Sequence, residues 1–316
     1  MMIKRGRNIM KLNSLTSKVN VPAIKRKTPM ALWSIARFVL LLGFSYVILY
    51  PIMVKFSLVF MDQIDLKDVT VIWIPRHFTF DNISKVNNMI KYFPLIGKTI
   101  LFCGTVAIIQ VAICVLSSYA FARYNFKGRG LMFIIVLGTL VVPPQTYIIP
   151  LYQQFKNIGV LDTMWPFYLM ALTGTAMRSG LYIYVLRQAF RGMPKELEEA
   201  ASVDGAGPFR TFIQVMCPNI VPTMFLCFIL SFVWQWNDSF FVSLFSPNLN
   251  VVATMLTGLR STIAYYLGGW NQAIGNLYTS MLLNTAIILC IIPAIILFIV
   301  CQKFFVQGVE RSGLVG

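Results

Sequence analysis

Apolar residues in this chain are concentrated in six long runs that polar segments separate. The runs cover about residues 34–56, 99–122, 131–154, 164–187, 219–244 and 280–303. A helix needs about 20 apolar residues to cross a hydrocarbon core of about 30 Å, and each run has about that length. The pattern predicts an all-α membrane protein with six transmembrane helices.

The runs divide the chain into a tail, a first span, a long polar segment, a core and a second tail. The expected layout is a basic N-terminal tail at 1–33, a first transmembrane helix at 34–56, an extracellular loop at 57–97, a five-helix core at 98–304 with a polar loop at 191–218, and a C-terminal tail at 305–316. The first run is too long and begins too late for a signal-peptide core, so we expect an uncleaved span.

The composition excludes an ordinary soluble domain. Hydrophobic residues make up 57% of the chain and charged residues only 12%, which is about half the charged share of soluble domains. The mean hydropathy is +0.71. We therefore expect a multi-pass membrane protein.

Basic residues predict which side of the membrane each loop faces. Lys and Arg are dense in residues 1–37, which contain no Asp or Glu, whereas 57–97 offsets its basic residues with several Asp residues. Because cytoplasmic segments carry an excess of Lys and Arg, both termini and the loop at 191–218 are expected in the cytoplasm. The net charge of +16 then matches the inner membrane face and its anionic lipids, and no nucleic-acid partner is expected.

The sequence contains no recognisable machinery for covalent chemistry. Its six cysteines form no CxxC pair, which favours buried free thiols. The single histidine, His77, cannot build a His-rich metal site. Gly97-Lys98-Thr99 resembles the end of a phosphate-binding loop, but Tyr92 stands where that loop requires its first glycine. We expect no enzyme activity, no metal and no cofactor in this chain.

The loop at 191–218 is a candidate surface for a soluble partner. Pro194 suits the first turn of a helix, where its missing N–H has no cost. Glutamates then follow near the positive end of the helix dipole, where acidic groups are stabilised. These are Glu196, Glu198 and Glu199.

Glycine and proline predict a bend after this first helix. Gly205 and Gly207 can end it because glycine readily adopts left-handed backbone angles. Pro208 is expected to open a second helix, at 209–216, before Pro218 starts the next span.

The small side chains of Ala200 and Ala201 would let another protein approach the first helix closely. The alternative is an amphipathic helix resting on lipid. Lipid-facing helices usually present Lys and Arg to headgroups, whereas this helix presents glutamates and Asp204. The residues favour docking of a protein.

The same loop resembles a known signature. Glu199-Ala200-Ala201, Gly205 and Val215-x-Cys217-Pro218 are similar to the EAA signature of permease subunits of binding-protein-dependent ABC importers. That signature ends in an Ile-x-Leu-Pro type sequence, so Val215 is a conservative change and Cys217 is a departure.

Other segments extend the resemblance over nearly the whole chain, to carbohydrate permeases related to the smaller membrane subunit of the maltose transporter. They are Ser118–Arg123, Lys127–Arg129, Ile149–Tyr152, Gly159–Thr163, Trp236–Asp238 and Phe305–Gly316. Many members carry an Asn-Ser pair before the second span, where this chain has Lys98-Thr99. Residues 178–184 with Glu198-Glu199 are most similar to the branch for lipo-oligosaccharides or complex polysaccharides.

The resemblance implies the type I ABC importer fold in a bacterial plasma membrane and uptake of a carbohydrate, an oligosaccharide in particular. The family's EAA loop is a coupling helix that sits in a cleft of a cytoplasmic ATPase subunit, whose closure rocks the spans between inward- and outward-open states. The matching positions are Glu198, Glu199, Ala200, Ala201, Asp204, Gly205 and Pro218. Both glutamates are expected to pair with basic groups of the ATPase.

The resemblance also implies the partners. They are a second homologous permease, two ATP-binding subunits that hold ATP and Mg²⁺, an extracellular solute-binding protein, a carbohydrate substrate and membrane lipid.

Polar residues within the spans are candidates for the solute path, because they are costly in lipid unless they face water or protein. Pro143–Thr146 interrupts the third run, 173–180 gives the fourth a polar stripe, and 234–238 lies in the outer half of the fifth. The candidates are Gln145, Arg178, Trp234, Asn237 and Asp238. Three alternatives stay open: Trp is a common interfacial anchor, and Arg178 could pair with Asp238 or extend its charged end toward the membrane interface.

A last polar segment, at about 246–278, is expected to be an outer loop. By resemblance, its Tyr265, Tyr266 and Trp270 are candidates for contact with the solute-binding protein. Packing of this loop against the chain's own spans is an equal alternative.

Two rival classes are a secondary transporter or channel for a polar solute and a membrane-embedded enzyme. The first usually has acidic ion sites within the membrane or inverted repeats, and the second needs a catalytic constellation. Neither feature is evident in the sequence.

Overall fold

The protein is helical throughout the part that the computed structural model describes. That part comprises the backbone of residues 24–269 and 277–311 and the side chains of residues 33–269 and 277–303. Its only β-type pairing is an isolated antiparallel bridge between Met61 and Phe78. The chain divides into two compact units between Val54 and Lys55.

The helices are numbered here in chain order. They are α1 Ile24–Val59, α2 Asp81–Ile90, α3 Tyr92–Arg123, α4 Arg129–Gly138, α5 Ile148–Ile158, α6 Trp165–Leu172, α7 Ser179–Arg191, α8 Glu196–Val203, α9 Pro208–Thr211, α10 Cys217–Asn219, α11 Val221–Asn237, α12 Ser239–Phe245, α13 Val252–Tyr266 and α14 Leu277–Arg311.

Three helices in the described part of the chain are long and apolar enough to cross a membrane. They are Trp33–Val59, Tyr92–Arg123 and Leu277–Lys303, and a fourth results if Pro208–Asn219 and Val221–Asn237, bent by 77°, form one span. The first, second and sixth apolar runs therefore form continuous helices. The helices of the two terminal runs also extend into the predicted tails, from Ile24 and as far as Arg311.

The first unit presents apolar side chains on its surface. From Trp33 to Met53 every side chain is exposed within this unit. A soluble helix would bury one face of such a sequence. A helix that is apolar on all sides and exposed is suited to contact lipid.

In the second unit, α3 lies at the centre of the core. Its buried side chains pack against α6, α7 and α11; for example, the ring of Phe102 lies 5.0 Å from that of Phe167 in an edge-to-face arrangement. Leu186 and Phe190 of α7 are fully buried in a second cluster with Cys114. Contact with several helices fixes α3 as the element that positions the others.

The third and fourth apolar runs are not continuous helices. As expected from its prolines, the third run breaks after Gly138, passes through a 3-10 turn at Pro144–Thr146 and resumes at Ile148. The expectation of one unbroken helix over the fourth run was wrong, because the chain leaves the helix between α6 and α7. Gly174 and Arg178 adopt left-handed backbone angles there, with φ of 71° and 65°.

The fifth run is also broken, and both predicted outer loops contain helices. Asp238 divides the fifth run, since its carboxylate accepts the Phe241 N–H at 3.0 Å and begins α12. The segment expected as a loop at 246–278 contains α13, whose first N–H, from Val252, donates to the Thr99 hydroxyl at 3.0 Å.

The segment at 57–97 is likewise ordered. The amide of Asn82 in α2 donates to the carbonyls of Val59 and Met61 at 3.0 and 2.8 Å. The carboxylate of Asp65 accepts the backbone N–H of His77 at 2.9 Å and contacts its ring at 2.7 Å, and these hydrogen bonds lower the pKa of Asp65. The segment is thus tied to the end of α1 and to itself.

Candidate functional site

The acidic loop, residues 192–219, joins α7 to α11. It begins with α8, whose first turn carries Glu196, Glu198 and Glu199, as the sequence predicted. The helix begins later than expected: Pro194 precedes Lys195, which is the N-cap. Acidic groups near a helix N-terminus are stabilised by its dipole, so α8 is a favoured helix despite its short length.

The two central glutamates of α8 have different surroundings. Glu198 accepts a hydrogen bond from the Tyr119 hydroxyl at 2.9 Å and lies 3.6 Å from Arg123 Nε. Arg123, whose side chain is only 8% exposed, also donates from Nη2 to the Met193 carbonyl at 2.8 Å. Glu198 therefore holds α8 to the end of α3, and Glu199 is exposed to the outside.

Only one of the two alanines faces outward. Ala200 is exposed and Ala201 is buried against the chain itself. Only Ala200 therefore provides the small side chain that was expected on the outer side of α8. Asp204 follows as an exposed residue at the C-cap.

The turn after α8 depends on Gly205. Its φ is +77°, in the left-handed region that glycine adopts at little cost. The N–H of Ala206 donates to the Ala201 carbonyl at 2.9 Å, the pattern of a Schellman motif. The predicted role of Gly205 as a helix terminator is confirmed, whereas Gly207 has a negative φ and caps the next helix.

The second half of the loop is helical as far as Asn219. It runs through α9, a π-helical turn at Phe212–Met216 and α10. Pro218 was expected to start the next span but lies inside α10, and the span begins at Val221 after a 77° bend.

The loop also exposes apolar side chains that were not predicted as functional. Val203 at the end of α8 is 88% exposed and Phe209 in α9 is 72% exposed. Exposed apolar side chains beside an acidic turn make these two residues candidates for a contact with another molecule. The available signal in the sequence was their position on the two sides of Gly205, close to the charged residues Asp204 and Arg210.

A cavity of about 820 Å³ lies where the third and fourth runs are broken. Its wall consists of the end of α4, the proline turn that follows it, and the turn between α6 and α7. Gln145 and Arg178, two of the predicted solute-path residues, both line it. Broken helices free backbone groups that protein or water must satisfy, and a cavity beside the breaks provides room for water.

Arg178 is stacked on an aromatic ring. Its guanidinium carbon lies 4.5 Å from the centroid of Trp234, so a third predicted path residue adjoins the cavity wall. Asp238, the alternative partner of Arg178, is used to cap α12. Asn237 is exposed one helical turn beyond Trp234, and its amide donates to the Val233 carbonyl at 2.8 Å.

A buried polar network holds the turn that carries Arg178, and the sequence reading overlooked it. The Gln110 amide of α3 donates to the Met177 carbonyl at 2.8 Å and to the Ser179 hydroxyl at 2.9 Å. The Ser231 hydroxyl of α11 donates to the Gln110 amide oxygen at 2.5 Å. The signal was available, because Gln110 is a polar residue in the middle of an apolar run.

The residues predicted to contact a solute-binding protein lie at the end of α13. Tyr265 is 90% exposed and Tyr266 is also exposed, while Trp270 lies outside the described residues. Among the residues that the structure describes, no group of three or more His, Cys, Asp or Glu side chains is arranged to hold a metal ion.

Comparison with known proteins places both regions in a matched segment. A family model described as binding-protein-dependent transport system inner membrane component matches residues 111–311. The sn-glycerol-3-phosphate transport system permease protein UgpE of Yersinia enterocolitica is 27% identical over 273 residues, which cover 84% of this chain and 92% of that protein.

A second relative and a solved structure extend the comparison. The arabinooligosaccharides transport system permease protein AraQ of Halalkalibacterium halodurans is 27% identical over 93% of this chain and 100% of its own length. A solved bacterial ABC transporter involved in the import of the acidic polysaccharide alginate contains a chain with the same fold. Its TM-score is 0.73 at 22% identity, over 87% of this chain and 97% of that one.

Proposed function

The chain belongs to the family of binding-protein-dependent transport system inner membrane components, and from this premise we propose that it is one permease subunit of an ATP-driven carbohydrate importer. The other components are a second homologous permease, two ATP-binding subunits and an extracellular solute-binding protein. ATP and Mg²⁺ are held by the ATP-binding subunits, and this subunit converts their closure into alternating access.

The observation that carries the coupling role is the attachment of the acidic loop at three points. The loop continues directly from α7, leads through a 77° bend into α11, and is tied to α3 by Glu198. A force on α8 would therefore act on three core helices together. We propose that Glu199, Ala200, Asp204, Val203 and Phe209, all exposed, form the surface that meets an ATP-binding subunit.

The anchoring of Glu198 changes its proposed role. It positions α8 within this chain, and Glu199 is the glutamate available to basic groups of the partner. Exposed ion pairs contribute only about 0–1 kcal/mol each, so the apolar side chains and the fixed bend matter as much as the charge.

The proposed topology has six spans with both termini in the cytoplasm. It rests on the basic tail, the basic segments after the second and fourth runs, and the positive-inside rule. The third, fourth and fifth spans consist of broken helices, and the cavity lies between two of the breaks. We propose that this cavity, with Gln145, Arg178 and Trp234, forms part of the solute path.

A carbohydrate, in particular an oligosaccharide, is the proposed solute class. The support is the relative named for arabinooligosaccharides and the fold shared with a chain of an alginate importer. An aromatic face at Trp234 and a free amide at Gln145 suit a sugar, which has apolar C–H faces and a rim of hydroxyls.

Replacing Gly205 by Pro tests the coupling role. Proline fixes φ near −65° against the +77° of Gly205, and it removes the N–H that donates to the Ser202 carbonyl at 3.1 Å. The strain is on the order of 3 kcal/mol, enough to unseat the turn. We expect oligosaccharide uptake and uptake-coupled ATP hydrolysis to be lost in cells and in reconstituted assemblies, with the subunit still in the membrane.

Gly207→Ala is the matched control. Its φ of −68° suits any residue, so this variant is expected to transport normally. Normal uptake by Gly205→Pro would contradict the coupling role, as would equal loss of uptake in both variants.

A further inference from the structure

The cavity contains a cationic side chain whose hydrogen-bonding capacity the protein leaves unused. Among the residues of the described chain that line it, Arg178 alone is charged. Its guanidinium stacks on Trp234 at 4.5 Å but forms no ion pair and no hydrogen bond to any described residue. Arginine has five N–H donors in a planar fork, and here all of them are available.

The hydroxyl groups near Arg178 are already occupied. The Thr139 hydroxyl donates to the Val136 carbonyl at 2.6 Å, and the hydroxyls of Thr173 and Thr175 lie 2.8 Å apart. The Gln145 amide, in contrast, has no hydrogen-bond partner in the described part of the chain. Three polar side chains in the wall therefore lack a hydrogen bond to another described residue: the guanidinium of Arg178, the amide of Gln145 and the phenol of Tyr147.

The backbone at Arg178 is held in a conformation that exposes this side chain. Its φ of 65° is uncommon for a residue other than glycine, and such angles persist where the surroundings determine them. The residues on either side are fixed by Gln110, through the Met177 carbonyl and the Ser179 hydroxyl. A cation that is costly to place within a membrane is thus positioned by the fold.

We propose that Arg178 binds an anionic group of the transported solute, so that the solute class is an acidic carbohydrate carrying a carboxylate or a phosphate. This inference rests on the proposed function as a carbohydrate permease. The guanidinium fork matches either anion in a bidentate manner. With the ring of Trp234 covering one face of the guanidinium, its N–H edge is left for the anion. Gln145 can bond a neighbouring hydroxyl.

The test uses trigalacturonate and its fully methyl-esterified form, in which each carboxylate is a neutral ester. Both are titrated against the purified complete importer in nanodiscs of neutral lipid. The wild type should bind the acidic form at least about tenfold more tightly, since bonds between charged groups are about twice as strong as neutral ones. Arg178→Gln should lose this preference with little change for the ester, and Arg178→Lys should retain part of it.

Competition distinguishes the sources of the anion. Displacement of trigalacturonate by inorganic phosphate at similar concentration indicates a site that also takes phosphorylated sugars. Failure of phosphate to displace it indicates a carboxylate site. Displacement by phosphatidylglycerol added to the nanodiscs would identify Arg178 as a lipid headgroup site and would overturn the proposal.

Arg187→Gln is the matched control. This residue lies near the other end of α7 and also stacks on a ring, that of Phe133 at 3.9 Å, so its loss should leave the acidic preference intact. Equal weakening of both sugars by Arg178→Gln, a wild type without preference, or a wild type that binds neither sugar would each overturn the proposal. ATP-driven uptake of a neutral sugar alone would overturn it too but leave the proposed function standing.

Discussion

The two ends of helix α7 are fixed to the rest of the core by different chemistry. At its N-terminal end the contacts are neutral: the Gln110 amide bonds Ser179 and the Met177 carbonyl. At its C-terminal end they involve charged groups. Arg187 Nε donates to the Phe121 carbonyl at 3.2 Å, and Arg123 joins the following loop to Glu198.

The difference follows from the surroundings of each end. A buried neutral network fixes geometry within a membrane without desolvating a charge. The largely buried Arg123 at the other end is instead compensated by the Met193 carbonyl and by Glu198. Each end also leaves a different group free: a cation at the cavity and acidic and apolar groups at the loop. The 13 residues of α7 span about 20 Å, so one rigid helix connects the proposed solute site with the proposed ATPase contact.

The largest effect is expected from filling the close contact at the cavity end. A Cβ at Gly180 would lie 2.7 Å from Thr139 Oγ1 and 2.8 Å from the Val136 carbonyl oxygen. Gly180→Val should lower the free energy of unfolding by about 1–3 kcal/mol through overpacking and separate α4 from α7. Thermal unfolding of the purified subunit measures this.

Gly104→Ala provides the comparison for that variant, because no atom lies within 4 Å of a Cβ added there. It should unfold like the wild type. A Gly180→Val protein as stable as Gly104→Ala would show that α4 does not pack against the first turn of α7.

An intermediate effect is expected from Gln110→Leu. The change leaves the Ser231 hydroxyl and the Met177 carbonyl without their partner, at a cost of about 1–2 kcal/mol for hydrogen bonds within a membrane protein. Thermal unfolding should show this loss, and Gln110→Leu combined with Ser231→Ala should cost less than the sum of the two single changes. Gln153→Leu removes a surface amide that bonds Asn157 and should have little effect; equal losses at both positions would refute the network's role.

The helices that could be predicted are those that depend on local properties. Length and hydropathy along the chain predicted α1, α3 and α14, and the pair Pro143-Pro144 predicted the break in the third run because proline cannot continue a helix. The break in the fourth run was missed. Its left-handed Arg178 is imposed by contacts with α3 and α11, and no local rule places a non-glycine residue in that conformation.

The candidate site was predicted only in part, because some of its features depend on contacts that the fold creates. The composition of α8 identified its acidic turn and its terminating Gly205, but not which glutamate faces inward. That depends on the helix start, and a shift from Pro194 to Glu196 turns the helix by about 200° at 3.6 residues per turn. The partners of Gln110 lie 69 and 121 residues away in sequence, so only the fold brings them together.

The smallest effect is expected at the loop end, from Glu198→Gln. The variant keeps an oxygen that can accept the Tyr119 hydroxyl. It loses the charge facing Arg123 Nε, but that contact is long, at 3.6 Å. Backbone amides of α8 should exchange hydrogen about two- to fivefold faster, equivalent to less than about 1 kcal/mol. Glu199→Gln, one residue further along and exposed, should leave that exchange unchanged and instead weaken binding of the ATP-binding subunit. If both variants speed exchange equally, α8 is not anchored through Glu198, and the two ends of α7 are not held by the contrasting contacts described above.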